Sequence, residues 1–107
     1  MVDYLLIEST GPQAGPGGQR FLDDAAWLAR GGEQVTVLLV DNGVAGAVGV
    51  AAAAAELLRA GGTLWVDDFS LRQRALAERD LVPGVQVVGI ADVARRLLAD
   101  GVRAVWH

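Results

Sequence analysis

Residues 61–76, GGTLWVDDFSLRQRAL, contain the pattern on which the fold prediction rests. The apolar run 63–66 predicts a buried strand, and the segment that starts at Leu71 predicts a helix. Two carboxylates, a phenylalanine and Ser70 lie between them, where the strand would end and the helix begin. In α/β proteins, ligands bind beyond the carboxyl ends of the strands, so this junction is a candidate functional site.

The same alternation of strand and helix extends over the whole chain. Strands are predicted over 3–9, 34–40, 63–66, 85–90 and 102–107, and helices over 19–30, 43–60, 71–78 and 92–99. Strands that alternate with helices at this spacing form βαβ units. We therefore expect one α/β domain over residues 1–107, a three-layer α/β/α sandwich with a mostly parallel five-stranded sheet.

Composition excludes several classes of function. The chain has 107 residues, no cysteine and a net charge of −4. Disulfides, thiolate metal sites and thiol nucleophiles are therefore excluded, and we expect neither a metal nor a cofactor. The cations form no basic stripe, so we expect no nucleic-acid partner. Asp41 and Asn42 interrupt the most apolar stretch, so we expect no membrane span.

Polar residues at the predicted strand ends form the candidate ligand site. Because the carboxyl ends of parallel strands lie along one edge of the sheet, these residues should line a common crevice. The candidates are Ser9, Asn42, Asp68, Phe69, Ser70 and Arg74. Such a crevice suits a neutral or cationic small molecule. The loop 11–18 fits neither phosphate-binding template, and is expected to be a surface loop or a weak anion site that uses Arg20.

Ser70 has a structural interpretation and a chemical one. With Gln73 three residues later, Ser70 fits the capping box at a helix start. A cysteine in its place should be reactive, since a helix N-terminus lowers a thiol pKa. A nucleophilic serine needs a base, and the only histidine, His107, is expected to be solvated. No catalytic residue is predicted, and whether the chain is an enzyme stays open.

The segments YLLIES, VTVLLVDNGV and LLRAGGTLWVDDFSLRQRAL resemble the DsrE/DsrF-like (sulfur relay, TusBCD-related) proteins. The resemblance covers nearly the whole chain and implies a small α/β/α fold and cytoplasmic trimers or hexamers. Active members carry a persulfide on a cysteine after strand three, a few residues before an arginine. Here the nearest match to the cysteine is Ser70, and Arg74 matches the arginine.

The leading hypothesis is therefore a cysteine-free DsrE/DsrF-like protein that acts as an oligomeric accessory or scaffold subunit in sulfur metabolism. It would have no sulfurtransferase activity of its own, because serine cannot hold a persulfide. The alternative is a small-ligand-binding module that uses the strand-end crevice. An enzyme that uses Asp68 with Ser70 is the third hypothesis.

Two predicted helices indicate an oligomer, either of this chain alone or with related subunits. The helix over 43–60 carries no charged side chain in its first turns, and its glycines would form a flat strip at Gly46 and Gly49, followed by Val50. On the first helix, Trp27 falls on the polar face. An outward tryptophan within a polar face is typical of a protein contact.

Overall fold

Five apolar runs form one parallel sheet in the computed structural model, which describes residues 2–107. The strands are β1 (Asp3–Glu8), β2 (Gln34–Leu39), β3 (Thr63–Asp67), β4 (Gln86–Val88) and β5 (Val102–Trp106). Their order across the sheet is β4-β3-β2-β1-β5, and every neighbouring pair is parallel. The predicted α/β fold is confirmed, with a sheet that is entirely parallel.

Within residues 2–107, four α-helices pack around the sheet. They are α1 (Gly17–Arg30), α2 (Ala52–Arg59), α3 (Asp68–Gln73) and α4 (Ile90–Leu98). The larger core lies on the side of α1 and α2 and includes Leu6, Leu22 and Leu57. The smaller core lies on the opposite face and includes Leu5, Ile7 and Val93 of α4. Adjacent residues of β1 serve different cores because side chains alternate along a strand.

The prediction of one helix over 43–60 is wrong. A 3₁₀ helix spans Asp41–Ala47, an extended stretch follows, and α2 begins only at Ala52. In the stretch between them, Gly49 has a φ of 73°, and Val48 forms an isolated antiparallel bridge with Leu81. A φ in this range suits glycine and interrupts a right-handed helix. The continuous glycine strip expected on one helix face therefore does not exist.

The other helices differ from prediction mainly at their ends. The first helix starts two residues earlier than expected, directly after Pro16. The third is short, and its N-cap is Asp67, whose carboxylate accepts a hydrogen bond from the Ser70 N–H. Ser70 is thus inside the first turn of α3 and is not the cap that the sequence predicted. Asp67 takes that role because its side chain, at the end of β3, turns back to the first turn of the helix.

Candidate functional site

The exits of β2 and β3 form a hydrogen-bonded junction around Ser70. The Ser70 side chain is buried, with 1% of the residue exposed. Its hydroxyl donates to Asp67 Oδ2 at 2.6 Å and accepts a hydrogen bond from the Asp41 N–H at 2.9 Å. Asp41 has a φ of 50°, a left-handed conformation that aspartate tolerates better than most residues. The hydroxyl therefore ties the two strand exits together.

Arg74 extends this junction. Its Nη2 donates to Asn42 Oδ1 at 2.8 Å, and its Nη1 donates to the Ser70 carbonyl at 3.1 Å. Of the predicted ligand-binding residues, the structure thus brings Asn42, Ser70 and Arg74 together. These contacts are between protein groups, so they fix the junction's shape.

The remaining predicted ligand-binding residues are not part of this junction. Asp68 forms a salt bridge with Arg72 one turn later, and Phe69 is largely exposed. Ser9 lies at the exit of β1, where its hydroxyl donates to the His107 carbonyl at 3.3 Å. The function of these residues in ligand binding stays a prediction.

The predicted interface residues lie in two different settings. Trp27 is 70% exposed, and the Val50 side chain is fully exposed. Gly49 is also exposed. Gly46 is half-buried, and a Cβ there would lie 3.8 Å from Leu22 Cδ1, so it faces the core between α1 and the sheet. Their role in an interface also remains a prediction.

A second polar site at the sheet edge joins β1 and β5. Glu8 is 1% exposed although its side chain is polar and ionisable. Its Oε2 lies 2.6 Å from Nδ1 of His107, whose ring stacks on Phe21 at a centroid distance of 5.0 Å. Because β1 and β5 are parallel neighbours with Ile7 opposite Trp106, the next residues of the two strands are side by side. His107 is exposed, as expected, with 46% of its side chain accessible, and it also has a partner in Glu8 that the sequence did not predict.

Glu8 was not among the candidate residues predicted from the sequence. The available signal was an acidic residue directly after the run Leu5–Ile7, in a strand predicted to be buried on both faces, where an unpaired polar group is costly. The partner could not be identified, because it depends on β5 pairing with β1. Glu8 also lines a pocket of about 520 Å³ that the predicted ligand-binding residues do not line.

The described part of the chain offers no metal centre and no membrane helix. Within residues 2–107, no group of three or more His, Asp or Glu side chains is placed to hold a metal ion. None of the helices in this range is long and apolar enough to cross a membrane.

Comparison with known proteins identifies the fold. No protein-family model and no curated protein matches the sequence. Among solved structures, the chain is similar to the YchN protein from E. coli, with a TM-score of 0.83 and 14% identity, covering 98% of this chain and 100% of that one. It is also similar to MTH1491, a protein of unknown function from Methanobacterium thermoautotrophicum, with a TM-score of 0.77 and 18% identity over 97% and 96% of the two chains. At these identities, the likeness establishes the shared fold.

Proposed function

We propose that this chain is a non-catalytic, DsrE/DsrF-like subunit of an oligomer, an accessory or scaffold component linked to sulfur metabolism. The observation that carries the proposal is the apolar stripe that α4 presents to solvent. The sequence resemblance supplies the family, and the whole-chain likeness in fold is consistent with it.

The stripe consists of Ile90, Ala94, Leu97 and Leu98. These residues follow the spacing i, i+4, i+7 and i+8, which places them on one face of a helix. Ile90 is 79% exposed and Leu98 is 83% exposed. A helix on the surface of a monomer normally turns such a face towards the core. The exposed stripe therefore supports contact with another subunit.

The opposite side of α4 packs against the sheet. Val93 packs in the smaller core, and Arg96 forms a salt bridge with Asp3. Arg96 also donates to Thr36 Oγ1 at 3.1 Å and lies 6.0 Å from the centre of the Trp65 ring. Because these contacts fix the rotation of the helix, the apolar stripe cannot turn inward without breaking them.

The junction at Ser70 supports the non-catalytic part of the proposal. A sulfur carrier needs a thiol that can reach its partner, and this chain has no cysteine. At the matching position the hydroxyl is buried, and it is hydrogen-bonded to Asp67 and to the Asp41 backbone. The group therefore holds two strand exits in place.

The family resemblance also implies the partners of the chain and its cellular compartment. The oligomer would be a trimer or hexamer of this chain, or a mixed assembly with related subunits that carry the cysteine, in the cytoplasm. A small-ligand-binding module is the second candidate function, and the pocket beside Glu8 favours it.

Light scattering after size-exclusion chromatography tests where subunits meet. The variant Ile90→Asp/Leu98→Arg puts charges on the stripe, each with the sign that its end of the helix favours. We expect this variant to have a lower mass than the unmodified chain, whereas Gln73→Arg, an exposed change at the end of α3, should leave the mass unchanged. An unchanged mass for the α4 variant, with a lower mass for Trp27→Arg or Val50→Arg, would contradict an interface at the α4 stripe. It would show that the subunits meet on the side of α1 and α2.

A further inference from the structure

The pocket beside Glu8 opens between the first turn of α1, the Asp41–Ala47 segment and the start of α2. Its volume of about 520 Å³ falls within the range of small-molecule sites. Most of its wall is apolar or glycine, including Leu22, Leu39, Gly43, Gly46, Val48 and Ala53. The polar side chains of the lining are Glu8, Thr10 and Gln19.

Glu8 brings a buried carboxylate with one unused oxygen to this pocket. Oε2 is paired with His107, but Oε1 is buried and has no hydrogen-bond partner among the described residues. Oε1 turns towards Gly18, where an added Cβ would stand 3.0 Å from it, and Gly18 also lines the pocket. The unused oxygen therefore lies against Gly18, at the wall of the pocket, and is covered from solvent.

An unpaired buried carboxylate oxygen destabilises the protein, because it has lost its hydrogen bonds to water. A ligand that donates a hydrogen bond to Oε1 would remove this cost. Among the described residues that line the pocket, Glu8 is also the only one with an ionisable side chain. An ionised Glu8 would attract a cationic group of a ligand, and none of these lining residues is an arginine.

We propose that this pocket binds a small molecule with a compact apolar body and one primary ammonium group, which donates to Glu8 Oε1. The apolar walls bury the body of the ligand, and the single carboxylate fixes its orientation. This inference names a ligand class for the second candidate function and does not depend on the proposed oligomer.

His107 has a positioning role in this site. Its Nδ1 is close to Oε2, and its ring is stacked on Phe21 with an interplanar angle of 13°. The contact fixes the rotation of the carboxylate, so that Oε1 remains on the side of Gly18. This geometry resembles the way in which supporting contacts orient a binding group elsewhere in proteins.

The direct test uses three probes of nearly the same shape: cyclohexylamine, cyclohexanol and cyclohexanecarboxylate. Each is titrated into the full chain, and binding is followed by amide chemical shifts of Thr10, Gly18 and Gly46. We expect the amine to shift these signals and to bind at least tenfold more tightly than the alcohol, with no binding of the carboxylate. Equal binding of the amine and the alcohol, or no shift with any probe, would overturn the proposal.

Two variants test separately how the Glu8 carboxylate and the open pocket volume contribute to binding. Glu8→Gln keeps the size of the side chain and should weaken amine binding at least tenfold, while Asp24→Asn, the same type of change on the exposed face of α1, should not. Ala53→Leu fills the pocket with Glu8 intact and should also weaken binding at least tenfold. If Glu8→Gln does not fold, Ala53→Leu decides, and undiminished binding to either folded variant would overturn the proposal.

Discussion

The Ser70 hydroxyl donates a 2.6 Å hydrogen bond to Asp67 Oδ2, and the same carboxylate oxygen accepts the Ser70 N–H at 2.9 Å. One oxygen of Asp67 thus caps α3 and anchors the side chain that holds the Asp41 backbone. At the position where the family resemblance places a reactive thiol, this chain has a buried hydroxyl. Its hydrogen bonds connect the exits of β2 and β3.

Removal of the Ser70 hydroxyl should destabilise the fold. Ser70→Ala leaves the partly buried Asp41 N–H without an acceptor, so we expect a loss of about 1–3 kcal/mol in the free energy of unfolding. Urea denaturation measures the loss. Ser9→Ala is the matched control, because its hydroxyl makes one exposed contact at 3.3 Å, and it should change stability by less than about 0.5 kcal/mol. Equal losses of unfolding free energy in the two variants would contradict the structural role of the Ser70 hydroxyl.

A cysteine at position 70 should be unreactive, contrary to the expectation from a capping position. The side chain there is buried and lies against the Asp67 carboxylate, and both features disfavour a thiolate. We expect the Ser70→Cys thiol to react with a disulfide reagent more slowly than the thiol of Ser9→Cys, which is partly exposed. A faster reaction at position 70 would show that the site retains the reactivity of a sulfur carrier.

Two glycines of the Asp41–Ala47 segment should respond differently to an added methyl group. At Gly43 a Cβ would lie 2.3 Å from the Glu8 carbonyl oxygen, so Gly43→Ala requires the backbone to move and should cost about 1–3 kcal/mol. At Gly46 the nearest atom would be 3.8 Å away, and Gly46→Ala should change stability by less than about 1 kcal/mol. Thermal unfolding of both variants tests this difference, and similar melting temperatures would contradict the described path of the segment.

The Glu56 carboxyl on α2 should titrate below its ordinary pKa of 4.5. A hydrogen bond from Arg59 is the largest cause of the lowered pKa, followed by the charge of Arg59, and Arg30 on α1 contributes further. Because the pKa is lower in the folded state, the stabilisation is present above the unfolded pKa and is lost as pH falls through the folded pKa. This stabilisation is small, because Glu56 is exposed and the solvent screens its interactions with the two arginines.

Arg59→Gln should therefore raise the pKa of Glu56 towards its ordinary value, as measured by an NMR pH titration. Arg95→Gln removes a similar i,i+3 pair with Asp92 on α4 and should leave the Glu56 pKa unchanged. If Glu56 titrates identically in all three proteins, the salt bridges around it are not formed in solution.

The sequence predicted the sheet well because each strand is a short apolar run between turn residues, and burial on both faces favours continuous apolar runs. It failed at residues 43–60, where the alanine-rich part favours a helix and the prediction was extended back over three glycines that disfavour one. The break there depends on tertiary features, namely the approach of Gly43 to the Glu8 carbonyl and the bridge of Val48 to Leu81.

The candidate site was predicted only in part for the same reason. Asn42 and Ser70 were expected to lie close together because they follow neighbouring strands, and Arg74 was added through the family resemblance; the structure places the three in contact, and their binding of a ligand stays a prediction. The pair of Glu8 and His107 spans nearly the whole chain, and its formation depends on β5 returning to the far side of β1. Local patterns do not specify that order.

Assembly is the central claim, and sedimentation equilibrium of the unmodified chain at several micromolar concentrations tests it most directly. The chain has a mass of 11.2 kDa, and its exposed α4 stripe leaves an apolar face that a monomer would turn inward. We expect a mass that is an integer multiple of the chain mass, with three or six subunits for a self-assembled protein. A single species of 11.2 kDa across the whole concentration range would contradict the account.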